Sequence, residues 1–484
     1  MGKAMFYVSY RVHVVRYSNY LCFFAALFLS QIGNSQTLSE KIDEIIAQKL
    51  PHATVGILIK EAETGKVVYS RNADKLLAPA SGMKLLTAAA ALYQLKPDYR
   101  FITTLSQKEQ DYYIHFTGSP SFTVDNLASL LVHLKKNNVD AIKGNVIIDS
   151  SQYQDPYYPS GTSYDDLGWY YAAPDTAAIL NENKVAYELS SAKELEKPVT
   201  IKLKKNQPKV LTLVNEVVTV SKEEEKDHCS LNLEVKPNNT IRLYGCKIQE
   251  ENPKLIELAI PDPMLFVKQV IQKTFDKNSI ALKGKIVTGV TPTDTHFVAS
   301  FQSKTLSKLI AHMLQQSDNL YANSLTKKLG YSLTGKGTHK EGAYAIKKIL
   351  SEHTHLDLSQ MEIVDGEGTR YNLVTPEQMV ILLNDLYHDK DMKTIFFKAL
   401  PQAGVSGTLK DRMKKTMLEK KVYAKTGSMH DISSLSGFII NPHDKTFIFS
   451  IIVNGVNKPL GKAKTLEEKI LLALDEYSLE ASPS

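Results

Sequence analysis

Beyond its first 35 residues the chain has no apolar run long enough to cross a bilayer, so no helical transmembrane span is expected there. It also lacks internal repeats and low-complexity linkers. Its excess of positive charge is small, +6 in 484 residues, and no basic stripe is interleaved with aromatics. That balance argues against a nucleic-acid partner. Among thirteen histidines there is no H-E-x-x-H, and the pair His353-x-His355 has no third ligand nearby. Metal catalysis is therefore not expected, and no metal site is assigned.

What is present begins with a leader. Lys3, Arg11 and Arg16 precede the apolar stretch YLCFFAALFLSQIG (residues 20–33), and no acid occurs before residue 36. Gly33 and Ser35 suit the small positions before a cleavage site, so residues 1–35 read as a secretory signal rather than an uncleaved anchor. Cys22 lacks the small residues that precede a lipidated cysteine. The mature chain is then expected outside the cytoplasmic membrane, in the periplasmic or cell-wall space. Two other cysteines, Cys229 and Cys246, flank two alternating strands around Pro237-Asn238-Asn239. A hairpin there places them opposite one another, and an exported protein can keep such a pair oxidised. Two separate thiols are the alternative.

The length suggests roughly two to four domains. LSEKIDEIIAQKL (38–50) has helical periodicity, and TVGILIKEAETGKVVYS (54–70) reads as a hairpin. Near the far end, KVYAKTGS, SSLSGFII and KTFIFSIIVNGV read as three strands, followed by the helix KTLEEKILLALDEY. Strands at both ends with helices around them imply an α+β fold in which one antiparallel sheet is built from the two termini. The middle is rich in short β-like runs such as GNVIIDSSQY and KPVTIKLKK, and reads as an insertion.

Three clusters carry chemistry. Ser81 and Lys84 stand three apart at the start of an alanine-rich helix, so one helical face presents both. A lysine amine deprived of its proton by burial can accept the serine proton and make Ser81 a nucleophile. A capping serine explains Ser81 as well, and the same spacing recurs without meaning at Ser190-Ser191-Ala192-Lys193. Ser317-Asp318-Asn319 interrupts an apolar-periodic stretch, where such residues are unfavourable unless their side chains are used. It is either a helix-to-helix turn or a site in which Ser317 moves protons and Asn319 holds a substrate carbonyl. Lys425-Thr426-Gly427 closes an apolar strand. There Lys425 and Thr426 suit a terminal carboxylate, and Gly427 lets a substrate approach the backbone.

The order of these clusters is informative. S-x-x-K at a helix start, S-D-N in a helical region and K-T-G on a late strand resembles the penicillin-recognising acyl-serine enzymes. Between Lys84 and Ser317 lies far more chain than a compact β-lactamase leaves. The sequence from about residue 40 to 477 is similar to the D-alanyl-D-alanine carboxypeptidase/endopeptidase family with a large insertion, the class C low-molecular-weight penicillin-binding proteins of the DacB or peptidase S13 type. GWYYAAPDTAAILNENKV, RYNLVTPEQM and GTLKDRM share in that likeness.

The resemblance implies a penicillin-binding transpeptidase-like domain, an antiparallel sheet flanked by helices, with a large β-rich insertion between the first and second motifs. The expected division is 36–100 and 296–484 for that domain and 101–295 for the insertion, with an inner lobe at about 181–260. It further implies peptidoglycan stem peptides as substrate, β-lactams as covalent inhibitors, and no cofactor. Ser81 would be the nucleophile and Lys84 its base, with Ser317, Asn319 and Lys425 completing the catalytic set. Thr426, Gly427 and Ser428 would bind substrate, and the backbone N–H groups of Ser81 and Ser428 would form the oxyanion hole. A β-lactamase or esterase, or a non-catalytic wall-binding protein, are the other classes. One segment departs from the family: where D-G-S-G-L-S-R is usual, this chain has Asp365-Gly366-Glu367-Gly368-Thr369-Arg370. Glu367 is either tolerated loop drift or a group near the site that alters substrate choice or assists deacylation.

Overall fold

A computed structural model describes residues 36–226, 229–441, 445–457 and 459–480; the expected signal segment lies outside them. Helix α1 (Leu38–Lys49) opens with a capping box in which Thr37 and Glu40 satisfy each other's backbone N–H groups. Strands β1 (Thr54–Glu61) and β2 (Val67–Arg71) form the first hairpin, and α2 (Lys84–Leu95) follows. The inserted region then supplies β3 (Ile102–Lys108), β4 (Asp111–His115), α3 (Val124–Lys136) and β5 (Val146–Asp149). Its middle carries β6 (Lys184–Ser190), β7 (Thr200–Leu203), β8 (Thr212–Val220), β9 (Leu231–Lys236), β10 (Thr240–Ile248) and β11 (Lys254–Ala259). It ends with α4 (Pro263–Lys277), β12 (Ile286–Thr288) and β13 (His296–Gln302). The chain returns through helices α5 (Leu306–Gln316), α6 (Asn319–Thr334), α7 (His339–His353), α8 (Pro376–His388) and α9 (Lys390–Ala399). It closes with β14 (Val422–Met429), β15 (Ile432–Ile440), β16 (Thr446–Asn454) and α10 (Gly461–Glu480).

The two chain ends build one antiparallel sheet, β14-β15-β16-β1-β2, in which β1 pairs with β16 along its whole length from Thr54↔Asn454 to Glu61↔Phe447. Both faces are covered. Val55, Ile57 and Ile59 join the apolar cluster of α1 and α10, whereas Leu58 joins that of α2, α5 and α8. A strand buried on both sides has to be apolar at successive positions, and VGILI meets that demand. Helix α2 is buried on all sides, from Lys84 to Tyr93. Its four alanines allow that close packing and keep the residues before the helix fixed.

The inserted region has a mixed sheet, β12-β5-β4-β3-β13, and two three-stranded sheets, β11-β6-β7 and β9-β10-β8. Its sheet runs past the expected boundary at 295, because β13 pairs with β3 as far as Gln302. One continuous apolar cluster extends from Leu105 on β3 through Val185 and Leu243 to Phe275, so the inner strands share their core with the outer ones. Cys229 and Cys246 form a disulfide with 5.7 Å between their Cα atoms, closing the β9–β10 hairpin. No helix among the described residues is long and apolar enough to cross a membrane.

The insertion docks through buried polar contacts. Asp175 lies 2.7 Å from Lys327 Nζ on α6 and 2.8 Å from His339 Nε2 on α7, and all three side chains are buried. Lys327 also donates to the carbonyls of Gln154 and Pro156, and the Tyr153 hydroxyl donates to the Ser324 carbonyl at 2.7 Å. These contacts set the insertion against the helices that carry the second motif.

Candidate active site

Ser81 sits in a single 3₁₀ turn, Ala80–Met83, that leads into α2. The capping role that was the alternative for it is not observed. The chain enters the helix in right-handed helical conformation at Pro79 and Met83, and neither boundary has a side-chain cap. The Ser81 hydroxyl instead accepts a hydrogen bond from Lys84 Nζ at 2.9 Å. The turn is braced from two sides. The Ser434 hydroxyl on β15 donates to the Pro79 carbonyl at 2.6 Å, and Gly368 packs so close that a Cβ there would meet the Ala80 carbonyl oxygen at 1.8 Å.

Lys84 has no solvent exposure, and its amine has three partners: Ser81 Oγ, Asn319 Oδ1 at 2.7 Å and the Glu367 carbonyl at 2.9 Å. Burial lowers its pKa to about 8, while the charges of Glu367, Asp318 and Asp365 oppose that shift. The neutral amine is thus accessible near neutral pH, which a base acting on a serine hydroxyl requires.

The second motif is both a helix-to-helix turn and part of the cluster. Ser317 ends α5 in left-handed conformation (φ 57°), and Asp318 caps α6 by accepting from the Tyr321 N–H at 3.1 Å. This break in the helix turns Ser317 and Asn319 toward Lys84 and Lys425. Lys425 Nζ, fully buried, donates to Ser317 Oγ at 2.8 Å and to the Thr426 carbonyl. Burial, reinforced by the Lys84 charge, holds its pKa well below the ordinary lysine value.

Strand β14 brings the third motif alongside. Thr426 Oγ1 donates to Thr408 Oγ1 at 2.7 Å, and Ser428 is exposed on the cleft wall. Gly427 makes a contact in addition to the expected substrate approach. A Cβ at this position would meet Ser434 Oγ at 2.2 Å and the Pro79 carbonyl oxygen at 2.5 Å, so here the missing side chain makes room for the Ser81 turn.

Ser81, Ser317, Asn319 and Ser428 line a cleft of about 990 Å³. One of its contacts is not evident from motif reading. The Tyr171 carbonyl, from the insertion, accepts from Asn319 Nδ2 at 2.8 Å; the GWYYAAPD segment signalled the likeness but not this contact. Glu367 is part of the wall. Asp365 holds its loop by accepting from the backbone N–H groups of Glu367, Gly368 and Thr369. Burial and the neighbouring Asp365 push the Glu367 carboxyl up to about 8. Across the cleft, Glu182, His312 and Asp318 bring potential metal-ligating atoms within 4.8 Å of one another. Lys184 already places a cation 2.7 Å from Glu182, which opposes binding of a further cation there.

The model of the D-Ala-D-Ala carboxypeptidase 3 (S13) family matches residues 38–474, across both chain ends and the insertion. The chain belongs to this family. Among its relatives, D-alanyl-D-alanine carboxypeptidase DacB of Haemophilus influenzae is 28% identical over 433 residues, covering 87% of this chain and 89% of the relative. A D-alanyl-D-alanine carboxypeptidase of Actinomadura sp. (strain R39) is 28% identical over 479 residues, covering 92% of this chain and 86% of that one. The crystal structure of penicillin binding protein 4 (dacB) from Haemophilus influenzae superposes with a TM-score of 0.81 at 26% identity. It covers 90% of this chain and 99% of that one. This S13 family member therefore shares both the α+β fold and the serine peptidase ancestry of those proteins.

Proposed function

We propose that the protein cleaves D-Ala-D-Ala-type bonds in peptidoglycan stem peptides through an acyl-enzyme on Ser81, as a carboxypeptidase, a DD-endopeptidase or both. Lys84 takes the proton of Ser81 as its Oγ bonds to the carbonyl carbon of the penultimate D-alanine. The N–H groups of Ser81 and Ser428 hold the oxyanion. Collapse breaks the C–N bond, and Ser317, polarised by Lys425, passes the proton to the leaving amine. Asn319 holds the substrate backbone, while Thr426 and Ser428 receive the terminal carboxylate. Water then hydrolyses the ester. β-Lactams acylate Ser81 by the same attack and leave slowly. Residues 1–35 direct export and are removed, so the enzyme works in the periplasmic or cell-wall space. Residues 36–100 and 296–484 form the catalytic domain around the 101–295 insertion and its inner lobe, apart from β13, which completes the inserted sheet.

The observation that carries this reading is the placement of the buried Lys84 amine, 2.9 Å from Ser81 Oγ and 2.7 Å from Asn319 Oδ1. Digestion of purified muropeptides by wild type and Ser81→Ala, read by mass spectrometry, tests it. The wild type releases D-alanine from monomers or cuts dimers and is labelled by fluorescent penicillin, whereas Ser81→Ala does neither. Equal activity in the two proteins overturns the mechanism, and faster turnover of a lactam than of the peptide overturns the substrate.

A further inference from the structure

The carboxyl of Glu367 stands in the wall of the reactive cleft, and no step above uses it. The residue is tied to the reacting groups twice. Its carbonyl accepts from Lys84 Nζ at 2.9 Å, and its Oε2 accepts from Asn323 Nδ2 at 2.7 Å. Asn323 lies one turn beyond Asn319 on α6, so one helix face offers successive amides, the first to Lys84 and the second to Glu367. Asn323 is 3% exposed, and its Oδ1 is buried without a hydrogen-bond partner. A buried carbonyl oxygen left unpaired is costly. Turned over, the amide offers Oδ1 to a carboxylic O–H of Glu367, and Nδ2 takes the unpaired place instead. The same asparagine therefore accommodates both protonation states of the carboxyl.

We propose that Glu367 is a positioning residue whose carboxyl charge sets the pH at which Lys84 loses the proton that must leave before Ser81 is activated. The inference rests on the Ser81–Lys84 reading above. The step is a proton exchange alone: an ammonium N–H is lost, a carboxylic O–H is formed, and the pair passes from ionic to neutral. While ionised, the carboxylate keeps Lys84 in the ammonium form; once protonated, it releases that hold. Burial pushes the carboxyl up and the amine down, which brings the ionic and neutral forms of the pair closer in energy. The charged and titratable groups around the pair are Lys425 on β14, Asp318 heading α6, Asp365 in the same loop, the buried Asp175 with Lys327 and His339, and Arg370 at the cleft wall.

The test is the rate of acylation by a chromogenic cephalosporin as a function of pH, with thermal melting as the check on folding. In wild type the acid limb should spread over two ionisations, because two groups share one proton. In Glu367→Gln it should sharpen to a single ionisation and move down by about one pH unit. The variant then acylates several-fold faster than wild type below the wild-type midpoint. Glu367→Ser provides the same comparison if the glutamine variant does not fold. A single-ionisation limb in wild type, or limbs that coincide in wild type and variant, overturns the inference and leaves the Ser81–Lys84 mechanism standing. Absence of acylation in wild type at every pH overturns that mechanism instead.

Discussion

Asn319 joins the two halves of the molecule: its Oδ1 accepts from Lys84 at 2.7 Å, and its Nδ2 donates to the Tyr171 carbonyl at 2.8 Å. The inserted region thus reaches the base through one amide. Both ends of that amide are in use, so replacing either has a defined electrostatic consequence.

Asn319→Asp keeps the size of the side chain but turns the donor toward Tyr171 into a second acceptor and puts a carboxylate beside Lys84. An opposite charge at hydrogen-bond distance favours the ammonium. Acylation in wild type should rise as pH passes through about 8, where Lys84 loses its proton. In the variant the rise should move to higher pH, and the rate at pH 7 should fall by about 10²-fold or more. Stopped-flow acylation across pH checks both the direction and the size.

Gly427→Ala places a methyl group against Ser434 Oγ and the Pro79 carbonyl. Neither is a flexible side-chain end that can swing away, since one is backbone and the other is fixed by its bond to that backbone. Overpacking of this kind costs about 1–3 kcal/mol. It also displaces the turn carrying Ser81, so acylation should fall while the terminal sheet stays folded. Melting temperature and the acylation rate of the same sample separate the two effects.

Lys327→Met removes one cation from the buried Asp175 and leaves only His339 facing it. An uncompensated buried charge costs about 3–5 kcal/mol. The expected result is a large fall in the denaturant midpoint, together with easier proteolysis near the Gln154 and Pro156 carbonyls that lose their donor. Unchanged stability would mean that the insertion docks mainly through its other contacts.

Much of the site was legible because its chemistry is local. Ser81 and Lys84 are separated by one helical turn, and Lys425-Thr426-Gly427 lies on a single strand, so spacing within each motif and the order of the three motifs predict which side chains lie together. The strands at the two ends were legible for a similar reason, since VGILI and TFIFSIIV are short apolar runs of strand length bounded by turns, although their burial on both faces is seen only in the fold. The contacts that cross the chain were not. Tyr171 participates through a main-chain carbonyl, which no residue type announces. Gly427 has a neighbour in the Ser81 turn that its strand alone does not reveal, and Ser81 does not act as a cap because the helix is entered without an extended N-cap residue.

By itself, the order of residues determined the α+β pattern, the insertion between the first two motifs and the candidates for the reacting groups, because each depends on periodicity or on neighbours a few residues apart. The tertiary structure decided how those groups are charged. Lys84 and Lys425 lose their ordinary proton affinity only when distant segments close over them and remove water. Glu367 becomes part of the site only because the Asp365 loop packs against the Ser81 turn. Desolvation and electrostatic coupling depend on everything within a few ångströms, wherever in the chain it comes from, and that surrounding exists only in the folded molecule.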